Sequence, residues 1–227
     1  MNDPIIGSEA LTSGSLTRGQ LRWNYRPIFP GIYIAKARCL SLEVMTIGAW
    51  LWSGRRAVVT GRAAAALHGA KWVDEHAPIE LLWKNNHHPP GTIIRNERFQ
   101  PDEVTSIRGL AVATPARAGF DLARHLPRTM AVAHLDALAR ATGITPADVI
   151  YLVDRYTRAR WNKRARTAIN VMNAGAESPK ESWLRLLLVD AGFPRPTTQI
   201  RVTDGMMTAF VDMGWEEVKI GVEYDGD

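Results

Sequence analysis

An α+β protein in two parts is the fold class this sequence predicts, and three observations predict it. From residue 16 onward, capped helical stretches alternate with short strands bounded by glycine and proline. The charge changes sign along the chain: residues 1–175 carry 23 basic against 13 acidic side chains, and residues 176–227 carry five against ten. The last stretch, "VDMGWEEVKIGVEYDGD" from Val211 to Asp227, reads as two strands crowded with carboxylates. With 227 residues, 46% of them hydrophobic, the chain can bury one large core or two modest ones.

The elements follow in order. Residues 1–15 are small, polar and aperiodic, and are expected to form a disordered tail. Residues 16–38 combine a short helix, capped by Ser15 or Thr17 and running through Leu21 to Tyr25, with a hairpin arm at "FPGIYIA". Such a pairing is an abbreviated winged-helix-like segment. Residues 39–174 form a mixed α/β body. Its first helix, Leu40 to Trp52, places Leu42, Met45, Ala49 and Trp52 at helical spacing and closes at Gly54. "RAVVTGRAAAALHG" gives a strand, Thr60 as N-cap, and a small-residue helix ended by Gly69. "PIELLW", "GTIIRNE" and "GLAVAT" are three more strands. Thr114 and Pro115 open a helix, Met130 to Ala141 is the next, and Thr145 to Asp148 caps a third. After a boundary near Asn173–Glu177, the lobe of residues 175–227 begins with Ser178 capping a helix from Pro179 to Ala191. Strands follow near 197–202, 209–214 and 218–224.

Composition excludes several classes. A single cysteine, Cys39, forbids an internal disulfide and points to a reducing compartment. The start lacks the basic-then-apolar pattern of a signal peptide, and no apolar run approaches the ~20 residues that span a bilayer. A cytoplasmic protein is expected. His87-His88 lacks partners at ligand spacing and reads as a polar loop.

Two clusters carry chemistry. The first is "RYTRARWNKRAR", where Arg155, Arg158, Arg160, Lys163, Arg164 and Arg166 fall within one predicted solvent-facing helix, 155–166. Clustered cations neutralise phosphates and release counterions, so double-stranded DNA is the expected partner. A solubilising helix, or one that pairs with the acidic lobe, is the alternative. The second cluster lies on the last strands. Alternation puts Glu217, Lys219, Gly221, Glu223 and Asp225 on one face and Val218, Ile220, Val222 and Tyr224 on the other, buried face. Asp212 on the preceding strand stands within ~5–8 Å of its cross-strand neighbours. Asp212 and Glu223 are therefore expected to bind one hard cation, Mg²⁺ or Mn²⁺, weakly. A plain solvated strand face is the alternative.

"ESPKESWLRLLLVDAGFPRPTTQ" with "FVDMGWEEVKIGVEYDGD" resembles the small domain of the very-short-patch-repair endonucleases, of the PD-(D/E)XK superfamily, often appended to actinobacterial proteins. The resemblance implies a catalytic set of Glu181, Asp212 and Glu223, with Asp225 where many members place lysine. Members continue past "EYDG" with a histidine and a helix, so a partial, restriction-endonuclease-like lobe is expected. Glu181 also stands third in a capping box begun by Ser178, and both roles remain open. "LTRGQLR", "FPGIYIA", "AVVTGRAAAALHG" and "VATPARAGFDLAR" resemble the AbiEi-type antitoxin and transcriptional-regulator family. That resemblance implies a winged-helix DNA reader and a toxin or other protein partner. The abbreviated winged helix leaves Arg18, Arg22 and Arg26 outside the predicted contact set. Two functions follow: a DNA-binding protein with a Mg²⁺-dependent endonuclease lobe, vestigial where truncated, or a non-enzymatic DNA-binding regulator or antitoxin.

Overall fold

The computed structural model describes residues 3–85 and 88–225, and the chain divides into two units, Met1–Leu67 with Val73–Ala118 and His68–Trp72 with Gly119–Asp227. Both units mix helices with antiparallel pairs, so the fold is α+β as the sequence predicts.

The first unit begins with β1 (Ile5–Ile6), α1 (Gly7–Thr12) and α2 (Arg18–Asn24), followed by the hairpin β2 (Tyr25–Phe29) and β3 (Ile32–Ala35). The expected disordered tail is corrected here for its described residues. Ile5 and Ile6 pair with Tyr33 and Ile32, so β1 becomes the third strand of a sheet ordered β1-β3-β2. Gly7 then sits so close to the Tyr33 ring that a Cβ would stand 2.6 Å from it. Thr17 and Gln20 close α2 with a full capping box. Gly31 turns the hairpin at φ 77°, a left-handed angle that glycine adopts without strain.

Next come α3 (Leu42–Trp52), capped by Ser41, then β4 (Val58–Thr60), α4 (Gly61–Leu67), β5 (Ile79–Leu82), β6 (Thr92–Arg95), β7 (Val104–Ile107) and β8 (Leu110–Ala113). The last five strands make a mixed sheet ordered β6-β5-β4-β8-β7. Buried Glu80 on β5 is neutralised by Arg95 at 2.9 Å and Arg62 at 3.4 Å. The carboxylate leaves no room at Gly61, where a Cβ would meet Glu80 Oε1 at 2.5 Å and φ is 59°. Buried Arg117 pairs in turn with Glu103 at 2.6 Å and donates to the Arg98 carbonyl. Of the His87-His88 pair, His88 lies in irregular chain and His87 falls outside the described residues.

α5 (Pro115–His125), opened by Thr114 accepting from the Arg117 amide, carries the chain into the second unit. α6 (Arg128–Thr142), α7 (Pro146–Arg155), α8 (Asn162–Ile169) and α9 (Pro179–Asp190) follow, then the antiparallel sheet β9 (Thr197–Thr203), β10 (Thr208–Trp215) and β11 (Ile220–Val222), ordered β11-β10-β9. The β9–β10 turn is held by Asp204, whose Oδ1 accepts from the amides of Met206 and Met207.

Two sequence expectations change in this unit. The basic helix 155–166 is not continuous: α7 ends at Arg155 and α8 begins at Asn162, with an elbow at 156–161. Apolar spacing fails after Val153, so nothing buries a helical face there. The strand expected over 218–224 is also broken. Glu216–Val218 forms a 3₁₀ turn and Lys219 is left-handed at φ 53°, which resets the alternation. Glu217 and Lys219 therefore do not share a strand face with Glu223, and Val218 and Ile220 are exposed rather than buried.

Buried Asp136 ties the second unit together. Its carboxylate accepts from Arg185 and Ser182 of α9 and from the Asn173 amide, while Arg185 also donates to the Val171 carbonyl. Burial pushes this carboxyl up to about 6, against the pull of Arg185, the Asn173 amide and Ser182. The folded value lies above the unfolded one, so the stability it contributes is fully present below about pH 4 and lost as pH rises through about 6. Asp136→Ala should leave Arg185 buried without its anion and cost ~3–5 kcal/mol in urea unfolding near neutral pH. The variant should also lose the part of the pH dependence that lies between those two values.

Candidate nucleic-acid interface

The turn between α1 and α2 is stitched by the Ser13 and Ser15 hydroxyls, which both donate to the Ala10 carbonyl. α2 buries only Leu21 and leaves Arg18, Gln20, Arg22, Trp23 and Asn24 exposed. Trp23 is 70% exposed, with the Arg22 guanidinium 5.8 Å from its ring centre. Arg26 is committed elsewhere, donating to the Arg38 carbonyl at 2.8 Å. A helix, a tight turn, a second helix with a bare cationic face and a hairpin thus occur in succession. Sequence reading missed this because α1 is six residues long and depends on the β1–β3 pairing, which no local signal announces.

In the second unit the six predicted DNA contacts separate into two groups. Arg158, Arg160, Lys163 and Arg166 are exposed, whereas Arg155 and Arg164 are half-buried. Arg155 donates to the Tyr151 hydroxyl at 2.8 Å and lies over that ring, and Arg164 donates to the Leu126 carbonyl. Arg166 pairs with Asp154. Arg158 and Arg160 of the elbow and Lys163 at the start of α8 thus remain the outward cations, with Arg160 over the Trp161 ring.

The carboxylates are placed differently from one another. Glu181 is buried at the start of α9, where its Oε2 accepts from the Glu177 amide at 2.9 Å and its own amide donates to Ser178 Oγ at 3.2 Å. It reaches one residue further back than a standard capping box does. Asp212, half-buried on β10, accepts from the Tyr224 amide at 2.9 Å. The register pairs Met213 with Val222, so its continuation by one step sets Glu223 opposite Asp212. Glu223 and Asp225 are exposed. Mg²⁺ commonly takes one or two carboxylates and keeps several waters, and Asp212 with Glu223 fits that donor set. Gly221 does not open space for a ligand: it faces Gly214 across the strands, and a Cβ on it would meet Val211 Cγ1 at 2.9 Å.

Among the described residues, no helix is long and apolar enough to cross a membrane. Residues 57–170 match the family model of the AbiEi antitoxin C-terminal domain. Two curated proteins of Mycobacterium tuberculosis are similar along most of the chain. They are Uncharacterized protein MT2308 of strain CDC 1551 / Oshkosh and Uncharacterized protein Rv2248 of strain ATCC 25618 / H37Rv. Each is 26% identical over 200 residues, which is 87% of this chain and 72% of the relative.

The Glu181 geometry has a direct consequence. Glu181→Gln retains an oxygen for the Glu177 amide, whereas Glu181→Ala removes it and leaves a part-buried donor unpaired. Thermal unfolding should show the alanine variant less stable by ~1–2 kcal/mol and the glutamine variant within a few tenths of wild type.

Proposed function

The chain belongs to the family of the AbiEi antitoxin C-terminal domain, and from that premise we propose that it is a DNA-binding regulator of the antitoxin kind. The observation that carries this reading is α2, which offers Arg18, Arg22 and Trp23 to solvent immediately after a tight helix–helix turn. Second helices so placed enter the major groove, with a following hairpin available to the backbone. The basic excess of the first 175 residues supplies attraction to any duplex, independent of sequence. The family also supports a toxin as protein partner, and a cytoplasmic setting suits both partners.

Anisotropy titration of a duplex against salt tests the reading. Replacing Arg18 and Arg22 by alanine should weaken binding about tenfold or more and lower the salt slope by about two, since each phosphate contact contributes ~0.9. Wild-type affinity and an unchanged slope in that variant would remove α2 from the interface.

Metal-dependent phosphodiester cleavage is a second reading, favoured by one observation: Asp212 and Glu223 are the residues next beyond the last strand pair, Met213 with Val222. A metal there would lower the pKa of a bound water and offset charge on the attacked phosphate. An exposed two-carboxylate site predicts Mn²⁺ affinity on the order of millimolar, lost in Asp212→Asn. Calorimetry beside a plasmid-nicking assay checks both steps; identical Mn²⁺ binding in the two proteins returns the pair to a solvated strand end.

A further inference from the structure

We propose that the elbow between α7 and α8 is a binding site for an unpaired nucleobase, stacked on Trp161, in single-stranded or locally melted DNA. The proposal rests on the DNA-binding reading above and adds to it a second surface with its own ligand.

Trp161 carries the argument. It is 47% exposed, so a large apolar ring faces water. It is also the residue before α8 and sits at φ 71°, ψ 13°, with no side-chain capping bond. A left-handed angle is strained for any residue with a Cβ, and glycine would occupy it at no cost. No side-chain capping bond explains a tryptophan here. Strain that a surrounding structure maintains around an exposed ring is the mark of a residue kept for contact.

The surroundings supply the rest. The Arg160 guanidinium lies 4.5 Å from the ring centre, a cation over a π-face. Arg128, Lys163 and Arg164 line with Trp161 one open groove of about 600 Å³, large enough for a nucleotide. Arg128 also pairs with Asp190 at 2.6 Å. Aromatic faces set in a cationic groove are how single strands are held, the ring taking a base and the cations tracking phosphates. A duplex hides its base faces, so the ring can stack only on a base that is unpaired.

The elbow is braced for this role. Buried Arg124, itself paired with Asp121 at 3.0 Å, donates to the Arg160 carbonyl at 3.3 Å. Asn162 Nδ2 donates to the Tyr156 carbonyl at 2.6 Å and to that of Val153 at 3.3 Å, and Arg164 donates to the Leu126 carbonyl. These bonds fix the chain on both sides of Trp161 and leave its ring outside.

The test uses the full chain with a labelled oligothymidine and a duplex of equal length. Trp161→Ala should weaken oligothymidine binding about 5- to 100-fold, with duplex binding unchanged, while Trp161→Phe keeps most of the affinity. Trp161→Gly relieves the backbone strain, so it should unfold no earlier than wild type and yet bind oligothymidine as poorly as the alanine variant. Wild-type stacking should quench Trp161 fluorescence, read as the difference from the phenylalanine variant. Oligothymidine affinity that survives in the alanine and glycine variants would overturn the proposal. So would wild-type binding of duplex alone, with the regulator reading left intact. Loss of duplex binding through Arg18 and Arg22, with oligothymidine retained, separates the two surfaces; absence of both bindings removes both readings.

Discussion

One buried carboxylate organises the second unit. Asp136 projects from the middle of α6 and is met by a guanidinium, a hydroxyl and a backbone amide, from two places in the chain beyond it. Removing a carboxylate from water is costly, and only this number of donors offsets it. The penalty makes the arrangement specific: α9 packs on α6 in the one register that brings Arg185 and Ser182 to the same oxygen. Asn173, whose amide reaches Asp136, accepts through its side chain from the Gly175 amide and from Thr198 on β9. A Cβ at Gly175 would collide with Thr198 Oγ1. The C-terminal sheet is thereby linked to the helices through a chain of polar contacts that begins at one side chain.

Local signals made much of the architecture legible, and it is clear which ones. Thr17, Thr145 and Ser178 all cap the helices expected of them, because a hydroxyl beside a free amide decides the start of a helix without distant help. Four strands of the five-stranded sheet are legible as short apolar runs between turn residues, whereas β7, the polar run Val104–Ile107, carries no such signal. What stayed hidden depends on pairing across the chain or on a single dihedral. α1 exists because Ile5 and Ile6 find β3. The break after β10 turns on one left-handed residue, Lys219, and the resumption of helix in the basic stretch follows another, Trp161, types in which no rule anticipates a positive φ. The candidate site was legible as composition and not as geometry: the cations at the elbow are visible in the sequence, and the left-handed turn that sets Trp161 among them is not.

The acidic residues show how charge and function can diverge. Glu80 and Glu103 neutralise arginines inside the first unit, while Glu181 and Asp212 serve backbone amides in the second. Each buried pair removes one charge of either sign from the surface, so the excess of cations found by counting is carried by exposed positions. The exposed cations of α2 and of the elbow both lie in that basic part of the chain. Within the C-terminal carboxylate cluster, Asp212 is occupied with folding through the Tyr224 amide, while Glu217, Glu223 and Asp225 stand exposed.

The β9–β10 turn has a chemical consequence. Met206 is almost wholly solvated at its tip and Met207 is largely so, which places their thioethers first in line for peroxide and other two-electron oxidants. Oxidation there would add a polar, chiral sulfoxide to each side chain without touching the bonds that shape the turn, since Asp204 holds both backbone amides. The tip can therefore change from apolar to polar while the strands below it keep their register.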